Sequence, residues 1–234
     1  MRIHALAALC QVPFEKAEPV IFRSEVSDPD GFFGIDSLER LLEEPKLVTR
    51  AGLFKEQQLI GNPADYTREF VENERSTGAA FTLRGVQRVP GPVRDMCMEI
   101  ADTGWPAVHA VALESPEGVV SLAPHWDLNP VIAVQTVGRK RWLIYEPVVS
   151  SGQEVIDRWY DGYGSGFTPE QKAAMLPENA AFDVTLNPGD VLFVPAGWPH
   201  APFAVGGHSL HMSVCALPQQ VVDRSGTVDH FFDL

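Results

Sequence analysis

The sequence predicts a mainly β fold, in which a sandwich or double-sheet jelly roll carries helices and strands from the first part of the chain. The first observation is a change of pattern after Gly104, where short apolar runs separated by Gly, Pro and Asn replace mixed segments. The second is the density of these runs, which have the length of strands and follow one another as in jelly rolls. The third is size, because 234 residues with 45% hydrophobic residues can bury one sizeable core.

The first part of the chain, residues 1–104, predicts a mixture of helices and a strand packed on the jelly roll. The expected elements are a strand at 19–24 and helices at 36–44, 63–75 and 92–103. Asn62 and Pro63 suit a helix cap and first helical position, and Gly104 is a typical helix stop. The apolar start, residues 1–10, is too short for a signal peptide, and we expect it to form a strand or the edge of a helix.

The second part, residues 105–218, is predicted to form the β core. Its strands are expected at 108–113, 119–123, 131–137, 141–145, 181–186, 191–194 and 209–217. The connection at 147–180 is long for a compact domain, and we expect it to be a functional loop or a lid. With residues 219–234 as a C-terminal tail, all these parts are expected to form one structural domain.

Charge and cysteine content restrict the class of protein. The 18 Lys+Arg and 31 Asp+Glu give a formal charge of −13, which excludes histone-like proteins and predicts no nucleic-acid partner. No apolar run approaches the roughly 18 residues that a membrane span needs, so we expect no membrane partner. The 3 cysteines are far apart in the sequence, which indicates neither a disulfide framework nor a zinc site. A reduced, cytoplasmic location is therefore expected.

Two segments carry candidate metal ligands. His125 and Asp127 stand two residues apart, and on a strand such residues face the same side. An isolated His-x-Asp pair is more often a surface pair than a pair of ligands. However, the apolar strand expected at 191–194 leads to His200 at a turn, and in a jelly roll the two segments can meet on facing strands. Two imidazoles and one carboxylate leave open positions on a metal ion and suit non-haem Fe(II).

Fe(II) chemistry of this kind needs a co-substrate that supplies electrons. 2-Oxoglutarate chelates the metal through its 2-oxo acid end, and its far carboxylate needs a cation. Lys140 begins the strand that follows the turn at Val137 and Gly138, which makes it the candidate for this cation. For its neighbours Arg139 and Arg141 we expect only a solvated hairpin or strand-edge role.

Three stretches of the chain, in this order, resemble the JmjC-type cupin oxygenases, and especially the ribosomal-protein hydroxylases. They are PHWDLNPVIAVQTVGRKRWLIYEP (124–147), LNPGDVLFVPAGWPHAPF (186–203) and HSLHMSVC (208–215). A weaker similarity extends back over residues 82–93. The resemblance implies a double-stranded β-helix that holds Fe(II) through His125, Asp127 and His200, with Lys140 paired to the distal carboxylate of 2-oxoglutarate.

The resemblance also suggests which residues line the pocket. Besides Lys140, the candidates for contacts with 2-oxoglutarate are Ser121, Ser213 and Cys215. The candidates for contacts with the substrate are Trp126, Asn129 and His211. Independently of the resemblance, Trp159 and Tyr163 are further candidates, because they belong to an aromatic, Gly-rich loop of an acidic protein that could clasp a basic side chain. The chain departs from the family at Val111 and Leu113, where relatives often carry Asn and Tyr, so the co-substrate pocket must be completed differently, by Ser121 or His109.

The function implied by the resemblance is an Fe(II)- and 2-oxoglutarate-dependent dioxygenase. It would use O2 to hydroxylate a peptide or protein side chain while 2-oxoglutarate is decarboxylated to succinate, and the acidic surface favours a basic substrate. A free amino acid or a natural-product intermediate is the alternative substrate. A non-catalytic metal-binding cupin and a metal cupin without 2-oxoglutarate stay open, although the complete ligand set and Lys140 speak against both. Because the family's dimerisation and winged-helix regions have no counterpart, a monomer or a different homodimer is expected.

Overall fold

The computed structural model describes residues 3–48, 50–56, 58–119, 124–158 and 167–217 of the chain. Its helices are α1 (Ile3–Cys10), α2 (Pro29–Phe33), α3 (Ile35–Leu42), α4 (Pro45–Val48), α5 (Arg68–Ser76), α6 (Pro92–Ala101), α7 (Gly152–Arg158) and α8 (Pro169–Ala174). Its strands are β1 (Val20–Phe22), β2 (Ala51–Lys55), β3 (Gln58–Leu59), β4 (Ala80–Arg84), β5 (Ala107–Ser115), β6 (Val131–Val137), β7 (Lys140–Ile144), β8 (Phe182–Leu186), β9 (Val191–Val194), β10 (His200–Ala204) and β11 (Ser209–Leu217).

Within these ranges the strands form two sheets that pack face to face. The larger sheet has the order β1-β9-β6-β11-β5-β4-β2-β3, and the smaller has the order β10-β7-β8. Apolar side chains of both sheets, including Ala133 of β6 and Ile144 of β7, meet in one hydrophobic cluster between them. The predicted fold class, a mainly β double-sheet barrel with N-terminal helices packed on it, is therefore confirmed.

Side-chain alternation along the central strands separates the main core from the space between the sheets. On β11, Leu210, Met212 and Val214 belong to the main hydrophobic core together with Met96 and Ile100 of α6. Successive residues of a strand point to opposite faces. The odd-numbered residues of β11 therefore face the smaller sheet, and the candidate site lies on that side.

The predicted helix at 63–75 is wrong in its first part. Pro63–Asp65 form only a 3-10 turn, and α5 begins at Arg68. The reason is the cap at Thr67, whose hydroxyl accepts a hydrogen bond from the backbone N–H of Phe70 at 3.2 Å. The chain start forms helix α1, and no helix in the described ranges has the length and apolar character needed to cross a membrane.

The structure contains several strands that the sequence pattern did not predict. β2, β3 and β4 extend the larger sheet beyond β5, and β10 begins at the turn where His200 was expected. Runs as short as β2 and β4 cannot be told from helix by periodicity alone. The predicted strand at 119–123 falls almost wholly outside the described residues, and so does the tail at 219–234.

The long connection at 147–180 contains regular structure. It includes α7 and α8, and α8 starts with a capping box in which Thr168 and Gln171 each bond the backbone of the other. Val155 and Ile156 of α7 pack in a hydrophobic cluster with Leu128, just after the His-x-Asp motif. The part of this connection at 159–166 lies outside the described residues, so its predicted role as a lid stays a prediction.

Candidate metal centre and co-substrate pocket

One group of side chains in the described ranges is suited to hold a metal ion, and it consists of His125, Asp127 and His200. Each residue offers one ligand atom, and these atoms lie within 4.8 Å of one another. An isolated antiparallel bridge holds His125 opposite His200, with backbone N···O distances of 3.2 and 2.7 Å. Residues 124–127 do not form a continuous strand, so the predicted strand geometry of the motif is wrong, although its ligand atoms converge.

The turn before His200 orients this residue for metal binding. Its Nδ1 donates a hydrogen bond to the carbonyl oxygen of Trp198 at 2.9 Å, and its Nε2 lies 3.5 Å from Oδ2 of Asp127. Burial, together with the neighbouring His125, lowers the pKa of His200 to about 4 against the opposing effect of Asp127. The imidazole is therefore neutral at pH 7, with Nε2 left as the ligand atom.

A glycine makes this turn possible. Gly197 has a φ of +76°, in the left-handed region, and a Cβ there would lie 2.8 Å from Val155 Cγ2 and 2.9 Å from Phe14 Cε2. The N–H of Gly197 donates to the carbonyl oxygen of Asp127 at 2.9 Å. The close approach of α7 to the turn thus fixes the backbone next to two of the three candidate ligands.

The donor set fits an Fe(II) ion. Two imidazoles and one carboxylate on one face of a metal leave further coordination positions open, which is the arrangement of non-haem Fe(II) oxygenases. His200 is buried, whereas His125 and Asp127 are partly exposed. The ion would therefore be held at the wall of the barrel and remain accessible from solvent.

Lys140 lies between the sheets and is 1% exposed. Its Nζ donates to Ser115 Oγ at 3.0 Å and lies 2.8 Å from Nδ1 of His211. Burial lowers the pKa of Lys140 to about 7, and the charge of Glu114 opposes this effect. No carboxylate in the described part of the chain forms an ion pair with Lys140, so its ammonium group can still bind an anion. Sequence reasoning missed Ser115, which only the pairing of β5 with β11 brings here.

Glu114 supports this cation from the opposite face of β5. Burial raises the pKa of its carboxyl, but hydrogen bonds from His208 and Arg75 outweigh burial and lower the pKa to about 2. Arg75 approaches through Nε at 2.5 Å and Nη2 at 2.9 Å, and His208 Nε2 lies 2.7 Å from Oε1. Glu114 is therefore an ionised, buried carboxylate next to Ser115.

His211 belongs to the Lys140 end of the pocket. Burial lowers its pKa well below the ordinary value, and so do the charges of Lys140 and His200. The neutral ring then accepts a hydrogen bond from the Lys140 ammonium through Nδ1. This placement makes His211 a neighbour of the predicted anion site rather than an isolated contact for the substrate.

The other residues predicted for the co-substrate line the inner face of the larger sheet. Ser213 is paired with Val111 of β5, and Cys215 is paired with His109. Burial raises the pKa of the Cys215 thiol, and the side chain of Asn129 forms a hydrogen bond with this thiol. A protonated thiol is a weak donor and acceptor. The structure thus brings Ser213 and Cys215 to the predicted face but leaves the strand β5 apolar at Val111.

The structure does not support Trp126 as a contact for the substrate. Its side chain is fully buried and packs in the cluster that contains Leu128. Asn129 is 9% exposed, and its amide donates to the carbonyl oxygen of Pro130 at 3.0 Å. Three further predicted site residues lie outside the described part of the chain: Ser121, Trp159 and Tyr163.

The comparisons with known proteins agree with this geometry. The profile of the JmjC domain matches residues 93–223. A "Bifunctional lysine-specific demethylase and histidyl-hydroxylase NO66" from Drosophila willistoni is 33% identical over 133 residues, which are 56% of this chain and 16% of that protein. The protein of the same name from Brugia malayi is 29% identical over 184 residues, which are 77% of this chain and 25% of that protein.

Solved structures show the same fold. The Escherichia coli ribosomal oxygenase YcfD superposes with a TM-score of 0.58 at 19% identity, over 93% of this chain and 53% of that one. Its complex with cobalt and 2-oxoglutarate superposes equally well, with a TM-score of 0.58 and 20% identity.

The chain spans a quarter or less of the two curated relatives and about half of the solved chain. The matched profile covers more than half of this chain and includes all three candidate metal ligands and Lys140. The chain therefore belongs to the JmjC domain family.

Proposed function

We propose that the protein is an Fe(II)- and 2-oxoglutarate-dependent oxygenase that hydroxylates a side chain of a peptide or protein. The observation that carries this proposal is the combination, within one barrel, of the triad His125, Asp127 and His200 with the buried Lys140. A buried cation without a carboxylate partner is unfavourable unless an anion is bound there. A dicarboxylate that also chelates the metal meets both requirements.

The metal-binding residues and the residues that would bind the distal carboxylate lie at opposite ends of the pocket. The triad would hold Fe(II), and Lys140 with Ser115 would bind the distal carboxylate of 2-oxoglutarate. When bound, Fe(II) and 2-oxoglutarate would activate O2, the oxidant: 2-oxoglutarate would give two electrons and become CO2 and succinate, which takes one oxygen atom, and the other oxygen atom would go to the substrate. The protein would contribute the positioning of the metal ion, the co-substrate and the substrate.

The names of the relatives support a protein side chain as substrate. One relative is called a histidyl-hydroxylase, and the solved neighbour is called a ribosomal oxygenase. Because the chain covers only part of both, a free amino acid or a natural-product intermediate remains the second candidate, favoured by the apolar Val111 and Leu113, which change the pocket.

The charge and the cysteines support further parts of the proposal. A formal charge of −13 favours a basic protein partner and disfavours nucleic acid. The cysteines Cys10, Cys97 and Cys215 are free and buried, which is consistent with a cytoplasmic location. We propose a monomer or a homodimer, and size-exclusion chromatography with light scattering tests that part.

The proposed activity is tested with protein purified without oxygen and loaded with Fe(II) and 2-oxoglutarate. After oxygen is admitted, we expect succinate to form, and to form faster with basic peptides than with acidic peptides of equal length. His200→Ala should abolish metal-dependent turnover and Lys140→Met should weaken 2-oxoglutarate binding, whereas the exposed control variants His4→Ala and Lys172→Met should change neither. Absence of both a metal–2-oxoglutarate absorption band and succinate would refute the proposal.

A further inference from the structure

Trp142 carries a buried hydrogen-bond donor that has no partner in the described part of the chain. Its side chain is 2% exposed, and its indole Nε1 has no hydrogen-bond partner among the described residues. Buried polar groups are nearly always paired, because an unpaired donor loses its bonds to water without replacement. An orphan donor of this kind calls for an explanation, and a bound ligand is one.

The position of the ring indicates which ligand. Trp142 follows Lys140 by two residues on β7, so both side chains point to the same face of the smaller sheet. The indole ring lies 5.6 Å from the ring of the candidate metal ligand His200 and 5.4 Å from the ring of His211, centroid to centroid. His211 in turn contacts Lys140. Trp142 therefore lies between the metal end and the cation end of the pocket.

The opposite wall of the pocket is apolar along part of β5. Val111 and Leu113 of β5 present apolar side chains toward the space between the sheets, where they pair with Ser213 and His211 of β11. A dicarboxylate that bridges the metal and Lys140 has more acceptor oxygens than these two groups satisfy. Besides Ser213 on the larger sheet, Trp142 on the smaller sheet can supply such a donor.

We propose that the indole N–H of Trp142 donates a hydrogen bond to a carboxylate oxygen of 2-oxoglutarate, which makes Trp142 a co-substrate-binding residue of this chain. This inference rests on the proposed function and adds one residue to its binding site. Trp105 and Trp198 also have indole nitrogens without a described partner. Among the described residues, Trp142 is the tryptophan whose ring contacts the rings of His200 and His211, so Trp105 and Trp198 serve as controls rather than as alternatives.

The test compares Trp142→Phe with Trp105→Phe, since both variants keep an aromatic ring and remove one N–H group. The Kd for 2-oxoglutarate is measured by calorimetry on protein loaded with Zn(II), which binds without turnover. A neutral donor bonded to a charged acceptor is worth about 10- to 100-fold in affinity. We expect a loss of this size for Trp142→Phe, an unchanged Kd for Trp105→Phe, and unchanged Zn(II) affinity in both.

A second measurement keeps the inference testable if Trp142→Phe does not fold. The indole N–H resonances of the wild-type protein, with 5 tryptophans in the chain, can be assigned through Phe variants of the other four. We expect 2-oxoglutarate to shift the Trp142 N–H resonance downfield. If the wild type binds 2-oxoglutarate but neither the Kd nor this resonance responds, the inference is overturned while the proposed function stands. If the wild type does not bind 2-oxoglutarate, the proposed function itself fails.

Discussion

The buried Lys140 predicts an unusual dependence of stability on pH. Its pKa falls from 10.5 in the ordinary case to about 7 in the fold. Because the folded-state pKa is the lower one, the unfolded chain binds more protons between pH 7 and 10.5, and this group makes the folded state more stable as the pH rises through that window. At about 1.36 kcal/mol per pKa unit, burying the charged ammonium costs about 4 kcal/mol at pH 7 and about 2 kcal/mol at pH 9.

Lys140→Met removes this penalty but also removes the hydrogen bonds of Lys140 with Ser115 Oγ and His211 Nδ1, which offsets part of the gain. The sign of the stability change at a single pH is therefore a poor test, whereas the dependence of this stability change on pH tests the prediction directly. We expect the stability of the variant relative to the wild type to fall by about 2 kcal/mol between pH 7 and pH 9.

The assay is urea unfolding of the metal-free protein at pH 7, 8 and 9, followed by circular dichroism. Lys172→Met, which removes an exposed lysine of α8, is the matched control and should run parallel to the wild type. If the free energies of unfolding of Lys140→Met and wild type change in parallel over this range, Lys140 keeps an ordinary pKa. That result would refute the inference that Lys140 is a buried cation without a bound anion.

Three further predictions concern the surroundings of the site. Glu114 has a pKa of about 2 in place of 4.5, so its contribution of about 3 kcal/mol to the free energy of unfolding is present above pH 4.5 and lost as the pH falls to 2. The free energy of unfolding of Glu114→Gln should therefore fall less steeply with decreasing pH than that of the wild type, and equal slopes would contradict this. Gly197→Ala should weaken Co(II) binding at least tenfold because its Cβ meets Val155, whereas Gly78→Ala, with a similar φ and open space, should not alter Co(II) binding. Co(II) should raise the Tm of the wild type and leave that of Asp127→Ala unchanged in thermal scans.

The metal site could be predicted from the sequence because its ligands sit in short, recognisable segments. His125 and Asp127 are two residues apart, and His200 follows a strand whose apolar character shows that it is buried. The fold class and the metal-binding triad could therefore be predicted from the sequence alone. The partners of Lys140 were not, because Ser115 and His211 reach it only through the pairing of β5 with β11 and the packing of one sheet on the other.

Trp126 shows a different kind of error. The residue stands between two ligands in the sequence, and proximity in the sequence suggested a role beside the metal. However, the side chain of Trp126 is fully buried and joins Leu128 and Val155 in a hydrophobic cluster. This cluster forms through the packing of α7 against the motif, which proximity in the sequence does not reveal.

The arrangement around β5 explains how a lysine can be both buried and available. A carboxylate in direct contact with Lys140 would stabilise its charge but would occupy the donors that an incoming dicarboxylate needs. Glu114 avoids this conflict, because it lies on the outer face of β5, held by Arg75 and His208, while its charge still favours the ammonium form through the strand. Ser115, the next residue, points inward and contacts Nζ directly. The strand β5 thus separates the charge of Glu114, which supports Lys140, from the position that 2-oxoglutarate would take. Replacing Glu114 should therefore weaken 2-oxoglutarate binding although no direct contact with 2-oxoglutarate is lost.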